Sequence, residues 1–311
     1  VFYIAPFKDD KYFICTDYGL YLVKRTSEKF IILNHQKLRA SFYILKGDNN
    51  YYWLASFQGL FRVQVNNDKI NIDKKYPLKT NENSSPENCR VLFYNKNDNE
   101  LFVGTEGGGL HILSLDENHE VISDKKYRSS KEKGSLSNNY IRSIIKDSFN
   151  NIWIGTYEGL NKLEKNKVTG DLYFKFYTKK DGLPNNMINS IVEDNEKCLW
   201  IGTNNGLSKF SLTGNHFLNY FESDGTQSNE FSEHSAFKTS DGEIVMGGID
   251  GISTFFPDEI YKSKRLPQTT ITDFFIDDIR IKPNQKIGNH TPLKKGIVVS
   301  DTITLLPNQN N

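Results

Sequence analysis

The chain has 311 residues, with 39 Lys and Arg against 38 Asp and Glu and a formal net charge of +1. This balance provides no overall field that would attract DNA, RNA or an anionic membrane, so it disfavours a nucleic-acid-binding function. Phe, Tyr and Trp number 21, 16 and 3, whereas Pro and Met number nine and two. Aromatic residues favour strands, and the composition therefore predicts an all-β fold.

The three cysteines, Cys15, Cys89 and Cys198, show no CxxC spacing and are odd in number. They indicate neither a zinc site nor a full disulfide framework, and we predict that they are small buried apolar residues. No uninterrupted apolar stretch approaches the roughly 18 to 20 residues that span a bilayer. The amino end, Val1 to Ile4, has no initiating Met and no basic n-region. We expect a soluble chain that is part of a longer protein.

One pattern recurs six times along the chain: an apolar run, a small pair that is often Gly-Thr, two variable residues, Gly, and alternating apolar positions. The copies are spaced by 40, 50, 50, 47 and 45 residues, which is the length of a four-stranded propeller blade. The glycine that precedes the apolar residue of each copy lies at Gly19, Gly59, Gly109, Gly159, Gly206 and Gly251.

Each copy is typical of a β-hairpin, in which Gly supplies the position with positive φ. Gly159 is therefore predicted to be left-handed. Further strands flank the hairpins, as at residues 140–145 and 174–177 around the fourth copy, so each repeat contains four strands. A chance series of hairpins in a β-sandwich is the alternative, but the near-constant spacing argues against it.

The predicted fold class is an all-β β-propeller of four-stranded blades, followed by an incomplete immunoglobulin-like β-sandwich. The sixth repeat has no evident outer strand, because the sequence PDEIYKSKRLPQ that follows it is poor in strand formers. Either the ring has six blades with imperfect closure, or upstream sequence completes a seven-bladed ring. The predicted boundaries are a propeller at 1–256 with blades near 1–37, 38–80, 88–128, 138–178, 185–223 and 230–256, a linker at 257–268, and a partial sandwich at 269–311.

Three segments carry a family resemblance: GSLSNNYIRSIIKDSFNNIWIGTYEGLNKL, DGLPNNMINSIVEDNEKCLWIGTNNGLSKF, and SNEF followed by DGEIVMGGIDGISTFFP. They resemble the two-component regulator propeller repeats of bacterial hybrid two-component sensors. The last segment is similar to the final blade before the β-sandwich called the triple-tyrosine domain, which would begin here with TTITDFFIDDIRI. The first two blades fit more loosely, because Cys15-Thr16 and Ala55-Ser56 replace Gly-Thr.

The resemblance implies the ectodomain of an inner-membrane sensor histidine kinase in the periplasm, as in Bacteroidetes that sense oligosaccharides. It implies a homodimer, and contact with the membrane only through a transmembrane helix that this sequence does not contain. The chain would bind an oligosaccharide and relay a conformational signal. A propeller scaffold for protein partners, without small-ligand sensing, is the alternative.

A catalytic function is disfavoured, because the six histidines form no HExxH or His-x-His pattern and no GxSxG elbow occurs. The run Gly104 to Gly109 is not a phosphate loop, because no Lys-Ser/Thr and no helical pattern follow it. We predict no enzyme activity, no metal site and no cofactor for this region.

Ligand-binding residues are predicted from propeller topology. The connection between consecutive blades opens on the same face as the hairpin within each blade. Amides, carboxylates and aromatic rings suit a saccharide, because its hydroxyls need donors and acceptors and its ring faces stack on aromatic side chains. Asn also serves turns for backbone reasons, so a structural role stays open at each position. The candidates are Tyr18, Phe57, Gln58, Asn138, Asn139, Tyr157, Glu158, Asn185, Asn186, Asn204, Asn205, Asn229, Glu230 and Asp250.

Overall fold

The computed structural model of the chain describes residues 1–47, 50–78, 87–260, 271–300 and 302–305. It divides into two compact units, Val1–Ile260 and Tyr261–Asn311. Parts of the predicted segments lie outside the described residues: 48–49 and 79–80 of the second blade, 261–268 of the linker, and 269–270, 301 and 306–311 of the sandwich.

The first unit contains 23 strands, each paired antiparallel with its neighbour in the sequence. Blade 1 contains β1 to β4 at Tyr3–Pro6, Lys11–Thr16, Gly19–Arg25 and Phe30–Lys37. Blade 2 contains β5 to β8 at Ser41–Lys46, Tyr51–Ser56, Gly59–Asn66 and Lys69–Tyr76. Blade 3 contains β9 to β12 at Cys89–Asn95, Glu100–Thr105, Leu110–Leu115 and Val121–Tyr127.

Blade 4 contains β13 to β16 at Ile141–Lys146, Ile152–Thr156, Gly159–Lys165 and Leu172–Tyr177. Blade 5 contains β17 to β20 at Ile188–Glu193, Cys198–Thr203, Gly206–Ser211 and Phe217–Tyr220. Blade 6 contains only β21 to β23, at Phe231–Lys238, Ile244–Gly248 and Gly251–Phe255. Short 3₁₀ helices at Lys179–Asp181 and Glu222–Asp224 precede blades 5 and 6.

The prediction of an all-β propeller with four-stranded blades is confirmed, with six blades in the first unit. In the sixth blade, residues 256–260 form no strand beside β23, whereas the remainder of the segment predicted to be poor in strand formers, 261–268, lies outside the described residues. A seventh blade is not confirmed within the described ranges.

In those same ranges, no helix combines the length and the apolar character needed to cross a bilayer.

The hydrophobic core is a series of layers, each between two consecutive blades. Trp53 of blade 2 packs with Leu101 and Leu113 of blade 3 in one layer. Trp153 of blade 4 and Phe210 of blade 5 share another, with ring centroids 5.5 Å apart. Neighbouring blades thus bury each other's faces. Cys15, Cys89 and Cys198 are buried, as predicted, and form no disulfide bond with one another.

Hydrogen bonds from a threonine fix the hairpin tips. In blade 4, the Thr156 hydroxyl donates to the Gly159 carbonyl at 3.0 Å and accepts from the Glu158 amide at 3.1 Å. The same two bonds recur at Thr16 in blade 1 and at Thr203 in blade 5. The six repeat glycines all have positive φ, between +90° and +140°. The prediction for Gly159, whose φ is +140°, is confirmed.

A buried aspartate fixes the turn between the first two strands of blades 4 and 5. Asp147 accepts from the Trp153 indole at 2.7 Å and from the backbone amides of Phe149 and Asn151. Asp194 makes the equivalent bonds in blade 5, including one to the Trp200 indole at 2.8 Å. Each tryptophan can therefore lie in an apolar layer with its N–H group satisfied.

His111 of β11 is fully buried between two carboxylates. Nε2 lies 2.8 Å from Glu87 Oε2, and Nδ1 lies 2.9 Å from Asp124 Oδ1. Burial lowers the pKa of His111, but the hydrogen bonds and charges of Asp124 and Glu87 outweigh it and raise the pKa above the usual 6.5. A neutral imidazole has one N–H group and can donate to only one of the two carboxylates.

The second unit contains a two-stranded antiparallel sheet, β24 at Phe275–Ile276 and β25 at Ile279–Arg280, and a 3₁₀ helix at Ile297–Val299. Ile276, Ile281 and Leu293 form its small buried cluster. The predicted immunoglobulin-like sandwich is therefore not confirmed. Within its described residues, the segment TTITDFFIDDIRI forms one hairpin, between β24 and β25.

Replacing Gly159 by Val should destabilise the protein more than the equivalent change at Gly251. Both backbones have φ near +140°, so both variants incur a conformational cost of about 1–3 kcal/mol. A Cβ at Gly159 would lie 2.7 Å from the Tyr177 carbonyl oxygen, whereas a Cβ at Gly251 meets nothing within 4 Å. Urea unfolding of both variants checks this, and equal losses would contradict it.

Stability should depend on the protonation of His111. Because the pKa of His111 is raised in the folded protein, its contribution is fully present below the usual 6.5 and is lost as the pH rises through the folded pKa. The difference in free energy of unfolding between the parent protein and His111→Gln should be largest at about pH 6 and should shrink towards about pH 9. His216→Gln, at an exposed histidine, is the control. A difference that grows with pH would contradict the prediction.

Candidate functional site

The hairpins and the connections between blades meet on one face of the propeller. In blades 2 to 6, a backbone amide of the hairpin donates to the carbonyl just before the inner strand of the same blade. This bond joins Tyr157 to Tyr140 at 3.2 Å and Asn204 to Met187 at 3.3 Å. Blades 2, 3 and 6 have the equivalent bond at 3.3, 2.8 and 3.3 Å. The propeller topology predicts this arrangement, which gathers the variable residues near the inner strands.

The paired asparagines on this face bind backbone amides. The Oδ1 atoms of Asn138 and Asn185 each accept from the amide two residues later, at 2.8 Å. Asn139, Asn186 and Asn229 accept from the amides of Ser129, Lys179 and Glu222, at 2.7 to 2.8 Å. Their side-chain oxygens are thus used by the fold, which leaves the NH₂ groups as the donors that a ligand would meet.

The remaining candidates lie mostly at hairpin tips. Tyr18 is 75% exposed. The Arg39 guanidinium covers Phe57 at 3.7 Å from the ring centroid, and Gln58 accepts from the Arg39 amide at 3.5 Å. Tyr157 stacks on Tyr140 with ring centroids 4.8 Å apart. Glu158, Asn205 and Asp250 are exposed.

A cavity of about 470 Å³ lies where the inner strands converge. Asn204 and Glu230 are the predicted residues that line it, and the structure does not bring the other twelve candidates into its wall. The lining residues are Val1, Phe2, Phe42, Arg90, Arg142, Met187, Asn189, Asn204, Glu230, Phe231, Ser232, Glu233 and His234.

Four of the lining residues that the sequence analysis missed occupy one equivalent position. Phe42, Arg90, Arg142 and Asn189 are each the second residue of the inner strand of their blade. An alignment of the repeats by inner strand marks this position, which a register shift at the start of each of these strands leaves out of the ladder with the second strand. The ligand-binding residues predicted from the sequence lie in turns and do not include this position.

Glu233 and His234 reach the cavity through a bulge in β21. The register passes from Phe231 paired with Gly248 to Ala236 paired with Met246, so residues 232–235 are left out of the ladder. His234 has φ +54°. A bulge re-aims side chains away from the regular sheet, and here it presents Glu233 to the cavity.

Glu233 forms ion pairs with arginines from two other blades. Its carboxylate oxygens lie 3.0 and 3.2 Å from Arg90 Nη2, and it also pairs with Arg142. Arg90 lies over the ring of Phe42 at 4.0 Å and pairs with Glu106 at 3.5 Å. Three blades are therefore linked through one carboxylate.

Tyr157 and Asn204 connect the hairpin tips to these inner-strand residues. The Arg142 guanidinium lies 4.5 Å from the Tyr157 ring centroid and donates to its hydroxyl. Asn189 Nδ2 donates to Asn204 Oδ1 at 2.9 Å and to the Phe231 carbonyl at 2.7 Å.

Burial perturbs the titratable groups of the cavity. It raises the pKa of Glu233, an effect that Arg90 partly opposes. Burial, with the charge of Arg90, lowers the pKa of Arg142 to about 10. Burial and the charges of Arg90 and Arg142 lower the pKa of His234 to about 3, so this imidazole is neutral near pH 7.

The cavity therefore offers cationic and amide donors, the carboxylates of Glu230 and Glu233, a neutral imidazole and aromatic surface. Within the described part of the chain, no group of three or more His, Cys, Asp or Glu residues is arranged to hold a metal ion. Such a set of groups binds a polar ligand through directed hydrogen bonds and charge.

Two segments, residues 135–158 and 182–205, match the family described as two component regulator propeller. A curated relative, Histidine kinase P4 of Formosa agariphila, is 26% identical over 176 residues, which is 56% of this chain and 9% of the relative. The matched segments run from the connection before an inner strand to the hairpin tip, in blades 4 and 5.

The solved structures show the same fold. The extracellular domain of a B. thetaiotaomicron protein described as a hybrid two-component system aligns with a TM-score of 0.66 at 20% identity, over 92% of this chain and 44% of that chain. An ancestral GH74 enzyme aligns with a TM-score of 0.58 at 12% identity, over 83% of this chain and 37% of that chain. This chain thus spans less than half of either structure, and a propeller by itself does not determine function.

Replacing Asn139 by Ala should destabilise the protein by about 1 kcal/mol, because the Ser129 amide loses its acceptor. Asn205→Ala, at an exposed hairpin tip, should change stability by less than about 0.5 kcal/mol. Chemical unfolding of both variants checks this. An equal loss at the two positions would contradict the structural role of Asn139.

Proposed function

We propose that this region is the ligand-sensing part of a hybrid two-component sensor histidine kinase. We propose that it binds an oligosaccharide in the cavity where the inner strands converge, which we call the channel cavity. One observation carries the proposal: the two matched segments supply five residues at or beside the cavity, which are Arg142, Tyr157, Met187, Asn189 and Asn204. The family match and the polar cavity thus coincide in blades 4 and 5.

The chemistry of the cavity supports a saccharide ligand. Asn189 and Asn204 can exchange hydrogen bonds with hydroxyl groups, and the rings of Phe2 and Phe42, 4.9 Å apart, offer apolar surface to a sugar ring. The volume of about 470 Å³ is in the range of small-molecule sites.

We place the region in the periplasm, as the ectodomain of an inner-membrane protein. The support is the similarity to a protein described as an extracellular domain and to a histidine kinase. Binding alone does not signal, because a ligand shifts an equilibrium only by its preference for one arrangement. We therefore propose a homodimer in the whole sensor, whose geometry the bound ligand changes.

A scaffold for protein partners is the second candidate, and the outer strand of blade 1 favours it. Phe30, Ile31 and Ile32 of β4 are 54%, 42% and 62% exposed. Adjacent exposed apolar side chains are typical of a surface that another protein covers. The proposal assigns no catalytic step to this region.

Calorimetric titration of the purified protein with a panel of plant and host glycan fragments tests the proposal. At least one glycan should give saturable heat, and Asn189→Ala should weaken its binding about tenfold through lost hydrogen bonds. Asn71→Ala, on the outer strand β8, is the matched control and should leave the affinity unchanged.

Flat titrations with every glycan would contradict a saccharide sensor. A stable protein partner in pull-down, together with flat titrations, would favour the scaffold. Chromatography of the same mixtures measures glycan turnover, and any product would overturn the non-catalytic assignment.

A further inference from the structure

Arg90 and Arg142 bring two guanidinium groups to the channel cavity from neighbouring blades. Their side chains are only 14% and 12% exposed. Both pair with the same carboxylate, Glu233, and Arg90 pairs with Glu106 on its other side. The Arg90 Nε atom is buried and has no hydrogen-bond partner among the described residues.

Glu230 also lines the cavity, but among the described residues no ion pair joins it to Arg90 or Arg142, so Glu233 is the carboxylate that both arginines share. Asn189 offers an amide, and His234 carries a buried Nε2 atom that also has no partner within the described ranges. A guanidinium presents its N–H groups in a fixed fork that fits a carboxylate or a sulfate with two parallel bonds. Two such forks at one cavity are therefore suited to an anionic group.

Glu233 is held more loosely than a residue of a regular strand. It lies in the bulge of residues 232–235, outside the ladder between β21 and β22. Among the described residues, its blade has three strands, and the apolar layer that supports it contains five buried residues, fewer than any other layer of the propeller. The bulge can move without breaking ladder hydrogen bonds of residues 236–238.

We propose that Arg90 and Arg142 form the recognition site for the anionic group of an acidic saccharide, and that the ligand's carboxylate or sulfate replaces Glu233. This inference rests on the proposed function and deepens it, because it names the ligand class. A neutral saccharide cannot compete for the arginines in the same way, since its hydroxyls supply no charge against Glu233.

The replacement also gives ligand binding a structural consequence. When the ligand's anion pairs with the arginines, Glu233 is released and the bulge of β21 is free to rearrange. The ligand then favours one position of the blade 6 inner strand over another, which is the differential interaction that a signal requires.

Calorimetry with four probes separates the alternatives: trigalacturonate, a sulfated galactobiose that has no carboxylate, neutral galactotriose and inorganic sulfate. We expect one or both acidic saccharides to bind more tightly than galactotriose and inorganic sulfate. The first two probes distinguish a carboxylate from a sulfate. Sulfate binding as tightly as either saccharide would overturn the saccharide assignment.

Substitutions at the ion pairs should act in opposite directions. Arg142→Gln should weaken binding of the acidic saccharide at least about tenfold, because it removes a charge-assisted pair. Glu233→Gln should strengthen the same binding about tenfold, because the competing carboxylate is gone. A purely structural role of the ion pairs predicts that both variants lose stability and affinity together, and that result would overturn the proposal.

Two further measurements keep the test decisive. Arg142→Lys retains the charge without the fork and should bind with an affinity between those of the parent protein and Arg142→Gln, even if the Gln variant does not fold. Circular dichroism and thermal unfolding establish that each variant is folded. Binding of galactotriose but not of the acidic saccharides would overturn this inference and leave the saccharide sensor standing. Flat titrations with the wider glycan panel as well would overturn both.

Discussion

A β-blade has two faces and cannot bury both by itself, and the propeller depends on this constraint. Each blade places large apolar side chains, such as Trp53, Trp153 and Trp200, against the next blade. Burial of each such side chain contributes about 1.5–3 kcal/mol, so the contacts between blades provide much of the stability. The inner strands meet around an axis, and their remaining side chains collect there.

The same constraint explains where the charged groups lie. The layers between blades accept apolar residues, so the polar inner-strand positions face the channel. Arg142 and Glu233 are poorly exposed there, and removal of either partner would leave a charge in a site of low solvation. His111 is in a comparable situation between Glu87 and Asp124. In both clusters, pairing between side chains from separate segments of the chain stabilises the buried charges.

Much of the fold could be predicted because each repeat carries its own local chemistry. The spacing of Gly159 and its equivalents predicts the blades and their hairpins. The sandwich could not be predicted as reliably, since a short apolar alternation such as that at 271–281 also fits a single hairpin.

The candidate site was less accessible to sequence reasoning. Asn204 and Glu230 are in the cavity wall, but Arg90, Arg142 and Glu233 come together only through three separate blades. The bulge that directs Glu233 inward has no local signature, because Ser232 to Ser235 read as ordinary strand residues. Turn chemistry, by contrast, explains why asparagine is frequent on this face without requiring a ligand.

In blades 1, 4 and 5, the bonds of the threonine that fix the hairpin tip reach the two residues before the glycine only through a backbone amide. Tips such as Tyr157-Glu158 and Asn204-Asn205 can therefore differ between blades while the turn geometry is kept. Mutation can sample new side chains beside the channel at little cost in stability, so one repeat architecture can evolve to recognise many different ligands.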